Sequence, residues 1–442
     1  MVHIPDIVND YQQRYGMSFW DLETSLTPGI IAAVVVPAIA EYNNIKTFLK
    51  SFSELNSRNF DSTILIFVIN NMDSSTDEVK LDNQQTLIYL RNLIGGNPED
   101  ALGKSILEKG INIGIVDAAS PRKTVPNKEG GVGLARKIGM DIALNIFDYD
   151  IKNKKIIMST DADCTLEKNY LTEIFNQFNK RNLSAAVVNF RHDISGNQKV
   201  NEAVLCYEIF LRYYVLGLRY AGSPYAFQTI GSTMVCDYES YIKAEGMNKR
   251  KAAEDFYFLE KLAKNVKIET INKTTVYPSN RSSWRVPFGT GQRVNRFLSG
   301  IQDEYTLYNP GSFKILKDWL DVFNTSGKTD VGYYLLGAKE IHPELIKFLY
   351  FRNFEQDMIN ILKNSKSEDQ LKLQKSRWFD GFLTLKLIHH LRDNGFPEIN
   401  MFDALDELFG YMNLPWIPER DKNTIPDFRQ RKDYLEILRQ CA

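Results

Sequence analysis

Asp161 and Asp163 stand either side of one alanine, directly after an apolar stretch, in IIMSTDADC. Along a strand, residues i and i+2 point the same way, so this spacing aims two carboxylates at one place. Two like charges ~6 Å apart repel by about 3 kcal/mol at an effective dielectric of ~20. Exposure of both acids to water relieves that repulsion, as does protonation of one of them. A divalent cation between them does so as well, because hard cations take carboxylate oxygens.

Other residue types along the chain could join such a site. Glu41 follows the apolar run in VVVPAIAEYNNI, and Asp73 lies in the polar stretch NNMDSSTDE. Arg136 sits in GGVGLARKIG, where two glycines open a helix whose N-terminus favours anions. This is not the dinucleotide fingerprint, which needs glycine at the Arg136 position and a strand directly before Gly131. Glu254 and Asp255 open AEDFYFLEKLAKN. Acids in a first helical turn serve the dipole, and a carboxylate there is also a candidate general base. The segment NRSSWRVPFGTGQR gathers Arg281, Arg285 and Arg293 around Gly289 and Gly291, a composition suited to anions and equally to a surface loop. His389 and His390 are adjacent on a helix, so they diverge rather than share a metal, and His192 follows a strand. DADCT also fits the DxDxT of aspartyl-phosphate phosphatases, with Asp161 as nucleophile; those chains usually open with that strand, whereas here it is roughly the fourth.

The elements that must position these residues alternate. Ile30–Val36 is a β-branched run expected as a strand covered on both faces. EYNNIKTFLKSFSEL places Ile45, Phe48, Leu49 and Phe52 at helical spacing. STILIFVIN, INIGIVDA, KKIIMST and LSAAVVNF are further strands, and GGVGLARKIGMDIALNIF a helix with Leu134, Ile138, Ile142 and Ile146 on one stripe. Alternation of this kind means an α/β unit with a mainly parallel sheet flanked by helices. Ligands of such sheets bind beyond the carboxyl ends of the strands, which is where Asp161 and Asp163 fall. After about residue 300 the segments SFKILKDWLDVFN, PELIKFLYFRNFEQDMINILKN, RWFDGFLTLKLIHHLRDNG and MFDALDELFGYM have amphipathic helical patterns. Residues 1–300 are therefore expected as the α/β domain and 301–442 as a C-terminal α-helical region.

The whole-chain properties narrow the class. The chain has 442 residues, 43% hydrophobic and 25% charged, with 54 Lys and Arg against 55 Asp and Glu. That balance leaves no global nucleic-acid footprint. The four cysteines, Cys164, Cys206, Cys236 and Cys441, form no CxxC pair, which fits a reducing compartment. The longest apolar run, IIAAVVVPAIA, is too short to span a bilayer and is interrupted by Pro37. A cytoplasmic protein is expected. The aromatic run CYEIFLRYYVLGLRYAGSPYAF is expected in a core or interface, with a peripheral membrane contact as the alternative.

Taken together, VVVPAIAE, DSSTDE, GLARKIG, DADC, QTIGSTMV and AEDFYFLEKL resemble, in order and spacing, the motifs of family 2 glycosyltransferases of the GT-A fold. The resemblance covers about residues 30–290. It implies a nucleotide-diphosphate sugar donor, a glycan or small-molecule acceptor hydroxyl, Mg2+ or Mn2+, and inversion at the anomeric carbon. It implies that Ala38, Glu41, Asn71 and Asp73 border the nucleotide, and that Arg136 approaches the diphosphate or orients the acids. Asp161 and Asp163 would hold the metal and donor, with Asp163 the more direct ligand. Gly231 would lie on the acceptor strand, Arg285 in the basic loop, and Asp255 would be the general base. The processive Gln-x-x-Arg-Trp signature is absent from RSSWR, so non-processive transfer is implied. Ile39 and Ala40 replace the aromatic and asparagine common after Pro-Ala. A non-catalytic nucleotide-sugar-binding protein of the same fold is the second reading, and the Asp161 phosphatase the third.

Overall fold

A computed structural model describes residues 3–25, 28–281, 290–300, 304–327, 329–415 and 420–441. They form two compact units, one of Met1–Asp193 with Thr229–Gln292 and the other of Ile194–Gln228 with Arg293–Ala442. Residues 194–228 cluster with the C-terminal helices.

The first unit is built on nine strands: β1 (Leu22–Thr24), β2 (Ala32–Ala38), β3 (Thr63–Asn70), β4 (Asn112–Ala118), β5 (Ile156–Ser159), β6 (Thr165–Leu166), β7 (Ala185–Phe190), β8 (Met234–Asp237) and β9 (Ile268–Tyr277). Their order across the sheet is β1-β4-β3-β2-β5-β8-β7-β9-β6. β4, β3, β2, β5, β7 and β9 run one way, while β1, β8 and β6 run against them. The mainly parallel sheet expected from the alternating pattern is what forms. Every residue of β2, β3 and β4 is buried, as continuous apolar strands require when helices cover both faces.

Helices α1 (Asp6–Tyr15), α2 (Tyr42–Ser53), α3 (Asp77–Ile94), α4 (Ala101–Glu108), α5 (Val132–Ile146) and α6 (Tyr170–Lys180) are joined in this chain order by α7 (Gln198–Tyr220), α8 (Tyr238–Lys243) and α9 (Glu254–Ala263). α2 buries Ile45, Phe48, Leu49 and Phe52 as its spacing demands. α5 departs from expectation. Rather than one apolar stripe it is buried from Gly133 to Leu144, including Arg136, Lys137 and Asp141. One face lies on β2 and β3, where Gly139 leaves room for Val35 and Val68, and the rest is enclosed by α1 and α9. A helix enclosed on all sides must neutralise its charged residues internally, and each of these three has a partner described below.

The carboxyl ends of β2, β3 and β5 open on one edge, with Ala38 opposite Ile69 and Val35 opposite Ser159. Buried Asn83 on α3 ties two of the exits together. It accepts from the Ala40 amide (2.9 Å) and donates to the Asn70 carbonyl (3.1 Å) and to Asn71 Oδ1 (2.8 Å). Ala40 is left-handed, with φ of 51°, a conformation costing a β-carbon-bearing residue about 1–2 kcal/mol. Asparagine and glycine adopt it more readily, so this strain accompanies the departure from the usual motif.

In the second unit α7 lies against Phe428–Cys441 and Pro310–Phe323. The aromatic run on α7 supplies Cys206, Ile209, Tyr213 and Leu216 to that unit's core. Fully buried Glu208 accepts from Arg212 (2.9 Å) and from Arg439 (2.7 and 2.9 Å). The segment expected as one helix from Pro343 is two, Pro343–Phe351 and Phe354–Asn364, because Asn353 takes a left-handed φ of 54° between them. His389 meets Tyr308 and His390 meets Glu344, so the two histidines diverge as adjacency on a helix requires. No helix among the described residues is long and apolar enough to cross a membrane.

Candidate active site

β5 ends at Ser159, and the backbone then leaves the strand. Thr160 N donates to the Val35 carbonyl (3.1 Å), and Cys164 N donates back to the Asp161 carbonyl (3.1 Å). This turn brings the two carboxylates together; the strand alternation expected from the spacing is not what does it. Oxygens of Asp161 and Asp163 and the Cys164 Sγ lie within 4.8 Å of one another.

Two arginines organise the acids. Arg136, 2% exposed, comes from the first turns of α5. Its Nε donates to Ser159 Oγ (3.1 Å), one terminal nitrogen pairs with Asp161 Oδ1, and the other pairs with Glu254 Oε1. Burial alone would lower its pKa, but the charges of Asp161, Glu254 and Asp255 more than reverse this, so the guanidinium is held charged. Arg281 enters from the segment after β9. Its Nε donates to Asp163 Oδ2 (3.0 Å), and a terminal nitrogen pairs with Glu41. Among the described residues five carboxylates (Glu41, Asp161, Asp163, Glu254, Asp255) thus face two guanidiniums, an excess of acidic groups.

That excess shows in the titration of the acids. Burial, reinforced by Asp161, pushes Asp163 up to about 6 against the pull of Arg281. Burial and the neighbouring Glu254 push Asp255 up to about 7, with Arg136 opposing. Asp255 is the second residue of α9, whose entry is fixed by Ala253 in a left-handed conformation (φ 56°), and its Oδ1 accepts from Phe256 N at 2.7 Å. Cys164 is buried beside both aspartates, and its thiol is pushed well above its ordinary range by burial and then by Asp163 and Asp161. A protonated thiol is a poor ligand for a hard cation.

The donor set suits a divalent cation. Asp161 commits Oδ1 to Arg136 and Asp163 commits Oδ2 to Arg281, and among the described residues the other oxygen of each is without a hydrogen bond. Two uncommitted carboxylate oxygens from one tight turn, in an acidic surround, fit Mg2+ or Mn2+, which bind through one or two carboxylates and complete their shell with water and phosphate.

The structure brings Glu41, Arg136, Asp161, Asp163 and Asp255 into one electrostatic cluster, together with Gly231. A β-carbon at Gly231 would collide with the Arg136 guanidinium. Gly231→Ala is therefore expected to cost about 1–3 kcal/mol by overpacking and to displace Arg136, read as a lower urea midpoint with reduced activity. Ala38 ends β2 at the same edge. Asn71 and Asp73 lie at the adjoining exit of β3 and have other partners. Buried Asn71 accepts from Asn83 and donates to backbone carbonyls, while exposed Asp73 accepts from Thr124 Oγ1 (2.6 Å). Arg285 lies outside the described residues. The sequence reading placed Glu254 and Arg281 only within candidate segments, without a role of their own, and did not name Ser159 or Asn83. Glu254 sits beside Asp255 and Arg281 in the same basic segment as Arg285, so their types gave a signal; Ser159 and Asn83 gave none.

No protein-family model matches the chain, and neither does any curated protein sequence. Among solved structures, S. aureus TarS 1–349 in complex with UDP-GlcNAc is similar at a TM-score of 0.39 and 13% identity, covering 79% of this chain and 91% of that one. The mannosyltransferase PcManGT from Pyrobaculum calidifontis, in complex with GDP-Man and Mn2+, is similar at 0.36 and 12% identity, covering 98% and 93%. Both scores lie below 0.5, so the functional reading rests on the geometry of the site itself.

Proposed function

We propose that this protein is a metal-dependent, inverting glycosyltransferase of family 2 type, which moves a sugar from a nucleotide-diphosphate donor to an acceptor hydroxyl in single, non-processive steps. The observation that carries the reading is the turn after β5, where Asp161 and Asp163 each keep one carboxylate oxygen uncommitted beside a carboxylate, Asp255, whose pKa is near neutral. When bound, Mg2+ or Mn2+ neutralises the charge that develops on the departing diphosphate. Asp161 and Asp163 hold that ion, with Asp163 the more direct ligand, and Arg136 fixes the orientation of Asp161. Ala38, Glu41, Asn71 and Asp73 border the nucleotide, Gly231 keeps the space that Arg136 occupies, and Arg285 is assigned to donor binding on its sequence alone. Asp255 accepts the proton of the acceptor hydroxyl as it attacks the anomeric carbon from the face opposite the leaving group. A base with a pKa near the working pH is ionised enough to act and basic enough to take the proton.

Arg281 has a double role in this scheme. Without donor it supplies positive charge to Asp163 and Glu41. A donor brings phosphate oxygens that a guanidinium binds bidentately, so Arg281 passes from the acids to the diphosphate. Arg281→Gln is accordingly expected to tighten Mn2+ binding to the free protein severalfold, about 1 kcal/mol, and to weaken donor binding, both read by calorimetry.

The deciding experiment is a panel of nucleotide-sugars tested by thermal shift with and without Mn2+, followed by transfer assays. A donor that raises the melting temperature only with Mn2+, and no longer does so in Asp163→Asn, supports the reading, because ligands of the native state alone stabilise it. Donor binding without transfer to any acceptor would favour a non-catalytic binding protein, and a phosphoryl analogue trapped on Asp161 would favour a phosphatase.

A further inference from the structure

A cavity of about 300 Å³ lies in the first unit away from the acidic cluster. Its lining includes Arg14 of α1, Lys137 of α5, Lys249 of the α8–α9 connection and Lys261 of α9, with Glu245 the one carboxylate among the described lining residues. Four cations meet here, and with the carboxylates paired to three of them (Asp141, Glu129 and Glu245) the described groups keep an excess of one positive charge, whereas acids outnumber arginines in the site above. Lys249 is paired at the rim with Glu129 (3.4 Å) and Lys261 with Glu245 (3.2 Å).

Its floor is built and buried. Lys137 Nζ, on a residue 4% exposed, contacts Asp141 Oδ2 (2.9 Å) and the Tyr11 hydroxyl (3.0 Å). Asp141 Oδ1 accepts from Tyr11 (2.7 Å) and Tyr241 (2.6 Å). An ammonium has three donors, and two of them are accounted for by these partners. Burial holds the Lys137 pKa below its ordinary value despite Asp141, and Lys249 and Lys261 push it the same way.

The cavity wall also leads into the acidic cluster. Lys137 is the chain neighbour of Arg136. The connection that supplies Met247–Lys249 folds back on α5 at Gly133, where a β-carbon would meet the Asn248 and Arg250 carbonyls and Glu254. Asn248 Nδ2 donates to the Glu254 carbonyl at 2.7 Å. Gly246, at φ 70°, packs so closely on Tyr11 that no side chain fits. These contacts join the cavity wall to the start of α9.

We propose that this cavity is a binding site for a small phosphate-bearing anion, and that its occupancy is transmitted through Asn248 to Glu254 and Asp255. Its binding stands apart from the glycosyl-transfer reading; its influence on transfer rests on that reading. Multiply charged phosphate matches several cations at once, and charge-assisted hydrogen bonds of this kind are the strong ones.

Inorganic pyrophosphate is the probe, titrated by calorimetry into the full chain without divalent cation at constant ionic strength. Wild type and Arg281→Gln are expected to bind equally. The double variant Lys249→Ala, Lys261→Ala, altered only in solvent-facing side chains, is expected to bind about tenfold more weakly, about 1.4 kcal/mol, with an unchanged ligand-free melting temperature. Hydrogen exchange at residues 253–256 should slow on pyrophosphate addition in wild type and not in Asn248→Ala. Binding that survives the double substitution but is lost in Arg281→Gln would place pyrophosphate in the acidic site and overturn the proposal, as would absence of binding to wild type. Glycosyl transfer failing while pyrophosphate still binds through Lys249 and Lys261 would sink the transfer reading and leave this site standing.

Discussion

Asp255→Asn is expected to lower transfer by about 10²–10⁴-fold, the usual contribution of a general base, while donor binding in the presence of Mn2+ stays near wild type. The substitution keeps the shape of the side chain and the acceptor for Phe256 N, so α9 keeps its start. The same carboxylate sets the pH dependence. Burial and Glu254 raise it to about 7, so the ionised base accumulates as pH rises through neutrality, and the rate should climb about tenfold between pH 6 and pH 8 before levelling. The effect on stability has the opposite direction. A carboxylate with a raised pKa in the folded chain keeps its proton between roughly pH 4 and pH 7, where the unfolded chain has lost it. The folded state therefore binds more protons there, and rising pH costs stability until the folded group has also ionised. Asp255→Asn removes that cost, so its melting temperature should exceed that of wild type by more at pH 8 than at pH 4. Loss of activity with loss of stability at pH 8 would instead mark Asp255 as a structural acid.

Arg136→Met carries the largest expected stability effect. The guanidinium is buried, and it bonds Ser159, Asp161 and Glu254 together. Glu254 is itself 4% exposed, so removing the arginine leaves a buried carboxylate without its partner, a change that costs about 3–5 kcal/mol. Urea unfolding should show the midpoint falling accordingly, and a loss under about 1 kcal/mol would place Glu254 in contact with water and refute the brace. Arg136→Lys should recover only part, because one ammonium cannot present a planar fork to three separated acceptors. A stability loss of this size also bears on function, because Arg136 holds Asp161 and balances Asp255.

Much of the α/β unit was legible because its signals are local. The runs at β2 and β3 are apolar without alternation, which specifies strands covered on both faces, and α2 carries its apolar residues at helical spacing. Their alternation required a mainly parallel sheet, and the parallel sheet placed Asp161 and Asp163 at its carboxyl edge. The helices after residue 300 were equally readable, except where Asn353 breaks one in two, since a single left-handed residue leaves no periodic trace.

The acids themselves, their order along the chain and their place at strand ends were determined by the sequence alone. Only the tertiary structure decided which charges meet. Arg136 is 25 residues from Asp161 and 118 from Glu254, and Arg281 is 240 residues from Glu41; pairings over such separations depend on strand order and on helix burial, which no window of sequence contains. The enclosure of α5 belongs to the same class, because it is fixed by neighbours brought from elsewhere in the chain. A charged residue costs little on a surface and much in an interior, so burial by distant segments is what turned these acids and arginines into a coupled site.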